Sequence, residues 1–312
     1  MKNFQLLNKA DQRVYFVFLP FFLFLILIGF FLVTGFLKVL VQDSQVLPIP
    51  FSVSKEAKFP IIKTEFVPTL SAKGAIIMDA DSKVVLYSKN PDLRFSSAST
   101  TKIMTALTAL DYFKLTDILT VKRLDFEGSM LGLEIGQKMS FENLLYAMLL
   151  PSANDAALTI AENYPGGEAA FVAKMNEKAK ELKLFGTHYS DASGLADRGD
   201  YTTPFDLSRL ASFASKNEVI KKIVSTKEKT IYDVTGTGIY ELSNLNKLLG
   251  VDGITGIKTG YTEEAGQVLV TSKQEKGKTI IIVVMGSEDR FLDTQRLIEL
   301  VSNNLTYLSI HP

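Results

Sequence analysis

Residues 14 to 37 read VYFVFLPFFLFLILIGFFLVTGFL and carry no charge. At about 1.5 Å of rise per residue this run makes a helix roughly 36 Å long. That is enough to cross a bilayer core of about 30 Å with some tilt. Lys2, Lys9 and Arg13 precede it against a single Asp11, and Lys38 and Asp43 follow. The positive-inside bias predicts a cytoplasmic tail at 1–13, one transmembrane signal anchor at 14–37 in the cell membrane, and the rest of the chain on the outer side. A cleaved signal peptide is the rival reading. Its apolar part would span about 7–15 residues and end at a small-x-small site. The run here is longer, and the KVLVQDSQVLPIP that follows offers no such site. Pro20 is compatible with a membrane helix, where neighbouring groups satisfy the freed backbone. No other stretch is long enough to span.

Pro48, Pro50, Pro60 and Pro68 recur next among Ser and Lys. This composition predicts an extended tether over 38–70, although FPIIKTEFVP inside it is also compatible with a strand. A folded domain is expected over 71–312. GAIIMDA, DSK and VVLYSKN read as strand, tight turn and strand. Helical periodicity runs from Ser99 to about Phe113, with Ile103, Met104, Ala106, Leu107 and Leu110 on one side. Further helices are expected near residues 141–150 and 169–182. QVLVTS and TIIIVVM flank KQEKGK as a second hairpin, and the wholly apolar IIIVV marks a central strand. RFLDTQRLIELVSNNL closes the chain as a helix. Strands at both ends with helices between predict an α+β domain whose sheet joins its two termini.

Several chemistries are excluded by composition. With 34 basic and 34 acidic residues the net charge is zero, so nothing suggests nucleic acid as a partner. There is no Cys, which removes thiol nucleophiles, Cys-ligated zinc and disulfides. His188 and His311 are the only histidines, too few for a histidine-rich metal site. No metal and no cofactor are expected.

A different signal lies in FSSASTTKIMTALTAL, residues 95–110, where a hydroxyl-rich stretch meets an apolar helix with Lys102 at the seam. If the helix starts at Ser99, Ser99 and Lys102 share a face one turn apart. A serine hydroxyl needs a base to act as a nucleophile, and a lysine made neutral by burial or a neighbouring cation can serve. A helix N-terminus also favours developing negative charge near Ser99. The plain alternative is an N-cap with a solvated lysine, and Ser52–Lys55 in the tether shows that Ser-x-x-Lys arises by chance. Two further patterns follow in order. Ser152-Ala153-Asn154 comes after an apolar helix, though Ser-x-Asn also occurs at Ser88, Ser215 and Ser302. Lys258-Thr259-Gly260 is the only Lys-Thr-Gly in the chain. Together the three form the signature of penicillin-interacting serine enzymes.

From Gly74 to about Leu305 the chain resembles the D-alanyl-D-alanine carboxypeptidases, the low-molecular-mass penicillin-binding proteins. The likeness extends beyond the motifs to MDADSKVVLYSKN, ENLLYAMLLPSANDAA, THYSDASGLADRGDYTTPFDLSRLA and GITGIKTGYTEEAGQVLV. The resemblance implies the serine β-lactamase/DD-peptidase fold: an antiparallel sheet flanked by helices, with a helical subdomain from the middle of the chain. It implies an enzyme that removes the terminal D-alanine from peptidoglycan stem peptides ending in D-Ala-D-Ala, and that β-lactams inhibit. By the same resemblance Ser99 would be the acylated nucleophile and Lys102 its base. Ser152 would relay a proton to the leaving amine, and Asn154 would hold Lys102 and the substrate amide. Lys258 and the Thr259 hydroxyl would meet the terminal carboxylate, and Gly260 would leave room for substrate backbone. The N–H groups of Ser99 and Tyr261 would form the oxyanion hole. Lys258 would also help keep Lys102 neutral. Many members add a C-terminal β-rich domain with a membrane anchor; here residues 14–37 are expected to take the anchoring role.

The rivals are a class A β-lactamase, which usually has Asp at the middle of the second motif and a later Glu for deacylation, a DD-endopeptidase or transpeptidase of the same fold, and a catalytically silent wall-binding protein. Residue 153 is Ala, and no match to the Glu motif is found.

Overall fold

The uninterrupted apolar run at 280–285 takes its character from its place in the fold. The computed structural model describes residues 24–34, 57–64, 67–124, 127–195 and 199–310. Within it the run belongs to β10 (Lys278–Ser287), the middle strand of an antiparallel five-stranded sheet. The sheet's order is β3-β2-β10-β9-β8, with β2 Gly74–Asp79, β3 Val85–Lys89, β8 Ile254–Thr262 and β9 Gly266–Glu275. Side chains alternate across a strand. Ile280, Ile282 and Val284 therefore join Leu297, Ile298 and Val301 of α8 (Arg290–Asn304) in one core. Ile281, Val283 and Met285 enter a second, larger core on the other face. Both faces are covered, so the strand has no polar position to spare.

The larger core is helical. Helix α6 (Pro204–Ala214), capped by Thr203, packs on β2 and β10. Beyond it lie α2 (Thr101–Leu110) and a group made of α3 (Phe141–Leu149), α4 (Asn154–Asn163) and α5 (Gly167–Glu181). Two short hairpins edge this group, β4 (Ile118–Thr120) with β5 (Lys138–Ser140) and β6 (Glu228–Tyr232) with β7 (Ile239–Ser243). Helix α7 (Glu218–Val224) lies against β8. The one-sided apolar face expected of α2 is not what is found, because Thr101 through Ala109 are all buried. A helix surrounded on all sides must satisfy its polar groups internally. Accordingly, the Thr105 hydroxyl donates to the Ala192 carbonyl at 2.7 Å.

The architecture is the expected α+β arrangement of an antiparallel sheet with helices on both faces, its two ends joined by the β2–β10 pairing. At the expected tether the structure differs. Residues 57–62 form β1 (Ala57–Ile62), which pairs antiparallel with β11 (Leu305–Ile310), so ordered structure precedes Ser71. Prolines suggested a tether, but a two-stranded ribbon has open edges that tolerate Pro60. Strand β11 was itself hidden at the end of a helical pattern. Of the run expected to span a membrane, only 24–34 (α1) is described. At about 1.5 Å per residue it is roughly 16 Å long, and no described helix is long and apolar enough to cross a membrane. The tail expected at 1–13, the rest of 14–37 and most of the tether lie outside the described residues.

Candidate active site

Ser99 sits in a single 3-10 turn, Ala98–Thr100, and the α-helix proper begins at Thr101. The turn is entered through Ala98 at φ +44°, a left-handed conformation that costs a non-glycine residue energy and that clusters at functional sites. Tightening the first turn does not separate the expected pair. The Lys102 amine donates to Ser99 Oγ at 2.9 Å. It also donates to Asn154 Oδ1 at 2.7 Å and to the Ser193 carbonyl at 2.7 Å. Three acceptors match the three N–H bonds of an ammonium. The side chain is fully buried, and burial pulls its pKa down to about 7, against the opposing influence of Asp191 and Asp155. Lys102 can therefore hold or release a proton near neutrality.

Asn154 opens α4. Its backbone N–H donates to the Ser129 carbonyl at 2.7 Å and its side-chain N–H to the Glu127 carbonyl at 2.8 Å. The next residue, Asp155, is buried and accepts the backbone N–H groups of Leu131, Gly132 and Leu133 at about 3.0 Å. These bonds tie the 127–133 loop to the start of α4. Ser152, two residues before Asn154, has φ +69°, and its buried Oγ has no protein partner. A buried unsatisfied hydroxyl in a strained residue asks for an explanation, and an incoming ligand would supply one.

The third motif lies on β8, at the edge of the sheet beside the Ser99 turn. A Cβ added to Gly260 would lie 3.2 Å from Ala98 Cβ and 3.3 Å from the Ser99 nitrogen. Only a residue without a side chain lets the strand approach the nucleophile's amide this closely. Lys258 and Thr259 are buried, and Tyr261 is exposed at the strand's outer end. The Lys258 amine donates to the Thr259 carbonyl at 3.1 Å. Burial first, then Lys102 and Arg290, push its pKa well below the lysine range. Burial is the main cause that holds Lys102 down, and the two lysine charges oppose one another across the site.

The motifs did not reveal everything at this site. Arg290, at the start of α8, donates to the Gly260 carbonyl at 2.9 Å, stacks on Phe291 and has a buried Nε without a protein partner. Its position depends on α8 packing across β10 and β9 so that its first residue reaches β8, which no local pattern encodes. The Ser193 contact is made by a backbone atom, which residue identity cannot announce. The chance Ser52–Lys55 pair lies outside the described residues.

A buried lysine of adjustable charge beside a serine is the pairing needed for acyl transfer through a covalent ester. Comparison with known proteins agrees with that chemistry. Residues 61–289 match the family described as D-alanyl-D-alanine carboxypeptidase. A D-alanyl-D-alanine carboxypeptidase of Bacillus subtilis is 37% identical over 69% of this chain, a match that spans 57% of that relative's own length. One from Streptomyces sp. strain K15 is 36% identical, over 70% of this chain and 82% of the relative. The crystal structure of the Streptomyces K15 DD-transpeptidase is similar at 34% identity with a TM-score of 0.71, covering 75% of this chain and 98% of that one. The buried Ser–Lys pair, the sheet-edge motif and these matches lead to one conclusion: the chain belongs to the D-alanyl-D-alanine carboxypeptidase family of serine peptidases.

Proposed function

We propose that the protein is a serine-type D-Ala-D-Ala carboxypeptidase that trims the terminal D-alanine of peptidoglycan stem peptides and is blocked by β-lactams. The observation that carries this reading is the Lys102 amine, buried, 2.9 Å from Ser99 Oγ and poised near pH 7. Neutral Lys102 takes the Ser99 hydroxyl proton as Oγ bonds to the carbonyl carbon of the penultimate D-alanine. The carbonyl π electrons move to oxygen, where the Ser99 and Tyr261 N–H groups receive them. Collapse re-forms the carbonyl and breaks the C–N bond. The leaving nitrogen takes the proton from Lys102 through Ser152, whose hydroxyl is otherwise unpartnered. Water, deprotonated by Lys102, then cleaves the ester and returns the proton to Ser99 Oγ.

The terminal carboxylate is held at β8. Thr259 offers a hydroxyl, while Lys258 is buried with its charge disfavoured. Arg290, which stays cationic at neutral pH, shares the carboxylate with them. Residues 14–37 anchor the chain in the cell membrane with the catalytic part outside. The uncharged run and the basic residues ahead of it support this. Protease added to intact protoplasts should remove the part from Ser71 onward; protection until lysis would contradict that topology.

Transpeptidation is a second reading with an observation behind it, because a similar solved protein is described as a DD-transpeptidase. There an amine replaces water in the second step. The deciding experiment incubates the purified full-length chain with a pentapeptide ending in D-Ala-D-Ala, with and without a D-amino acid acceptor. Free D-alanine and a tetrapeptide product support hydrolysis. A product joined to the acceptor, with little tetrapeptide, replaces it by transpeptidation. Unaltered peptide defeats both.

A further inference from the structure

The third acceptor around Lys102, the Ser193 carbonyl, belongs to none of the three motifs. A backbone carbonyl points where its turn directs it, and the turn at 191–195 is organised around one carboxylate. Asp191 Oδ1 accepts the Ser193 N–H at 2.5 Å, the Gly194 N–H at 2.6 Å and the Ser193 hydroxyl at 2.9 Å. Its Oδ2 accepts the Leu195 N–H at 3.1 Å. Four donors converging on one side chain define the turn as an Asx-type structure.

The same turn presses against the nucleophile. Gly194 has φ +83°, and a Cβ added to it would lie 1.9 Å from the carbonyl oxygen of Ala98, the residue before Ser99. Asp200 backs the loop, accepting the Ser190 N–H and the Thr101 hydroxyl, the latter at 3.3 Å. Thr101 is the neighbour of Lys102 in the chain. The turn therefore touches Lys102 itself and the residues that precede Ser99 and Lys102 in the chain. The charged groups that face Lys102 are Asp155 on α4, Asp191 in the loop and Lys258 on β8; Asp191 also acts on Asp200.

We propose that Asp191 is a positioning residue for acyl transfer: it aims the Ser193 carbonyl at Lys102, clamps the amine between Ser99 and Asn154, and places a compensating negative charge beside it. The proposal rests on the reading of Ser99 as nucleophile and Lys102 as base. Two consequences separate geometry from charge. Asp191→Ala removes all four acceptor contacts and frees the carbonyl. Asp191→Asn keeps an oxygen in the Oδ1 position but removes the charge that favours the Lys102 cation, so Lys102 becomes neutral at lower pH.

The test measures acylation of Ser99 by benzylpenicillin across pH, by mass spectrometry of the full-length chain, with melting temperature recorded for each variant. Misplacing a reacting group by about 1 Å costs on the order of 10²-fold, so Asp191→Ala should slow acylation by about that factor at every pH. Asp191→Asn should recover most of the rate and move the acid limb down by about one pH unit, the effect of losing one nearby opposite charge. The pair is repeated with Asp200→Asn, because ionisation of Asp200 replaces part of the lost charge. If Asp191→Ala does not fold, the acid limb of Asp191→Asn decides. An acid limb that matches wild type in both Asp200 backgrounds overturns the proposal. So does wild-type acylation speed in a folded Asp191→Ala. A wild-type chain that takes no adduct at Ser99 overturns the reading beneath it as well.

Discussion

The Lys102 amine reaches the Ser99 hydroxyl at 2.9 Å across a backbone that is 3-10 at Ser99 and α-helical at Lys102. The tight turn and the helix that follows keep the two side chains on one face, and burial leaves the lysine no solvent to prefer.

Residues that act in one proton transfer are lost nearly as one. Ser99→Ala and Lys102→Ala should each lower the acylation rate by on the order of 10³-fold or more, and the double variant should fall little further. Ser52→Ala should match wild type. An active Ser99→Ala variant beside an inactive Ser52→Ala variant would reassign the nucleophile.

Acylation should depend on pH through Lys102. The base must be neutral, and its pKa is lowered by burial to about 7. The rate should fall as pH drops below about 7 and level off above it. Stopped-flow acylation between pH 5 and 9 checks this. A rate still climbing toward pH 10 would mean that Lys102 keeps an ordinary lysine pKa.

Asp200 makes a stability prediction. Burial, with Asp191 beside it, pushes its carboxyl up from 3.8 to about 7. The folded state therefore binds more protons than the unfolded state between those values, and stability falls as pH rises across them. This contribution is complete below pH 3.8 and gone once pH has passed through about 7. Denaturant titrations of wild type and Asp200→Asn should differ in slope over that window, with wild type losing more stability. Parallel curves would show that Asp200 titrates normally.

Carboxylate recognition is checked with a substrate whose terminal carboxylate is amidated. A hydrogen bond to a charged group is worth about 1.5–3 kcal/mol, so wild type should discriminate against the amide by roughly that amount. Arg290→Ala should narrow the gap more than Lys258→Ala, because the Lys258 charge is disfavoured by burial. Equal discrimination in wild type and Arg290→Ala would remove Arg290 from this role.

The response to penicillin distinguishes a carboxypeptidase from a β-lactamase. Ser99 should open the β-lactam ring, leaving an ester that only an activated water can clear. Class A β-lactamases supply a dedicated Glu for that water. General-base help is worth about 10²–10⁴ in rate, and no motif for that Glu occurs in this sequence. Mass spectrometry should show one adduct at Ser99 that persists for minutes or longer while D-alanine release is blocked. Rapid repeated turnover without a trappable adduct would favour the β-lactamase.

The sequence alone determined what depends on local pattern. Period-two and helical spacing located β2, β9, β10, α3, α5 and α8, and the order of three short motifs pointed to the family. Such signals survive because strand alternation, helix periodicity and motif spacing are written in adjacent residues. Other features came only with the tertiary structure. Strand β1 exists because β11 lies beside it, Ile62 pairing with Leu305 across a separation in sequence that no local pattern can bridge. Arg290 meets Gly260 because α8 packs across β10 and β9 and brings its first residue to β8. The charge state of Lys102 depends on how completely it is buried, and its third partner is the carbonyl of Ser193, aimed by Asp191. Burial and backbone direction are properties of the assembled core, where distant segments exclude water together. No single segment of the chain carries them.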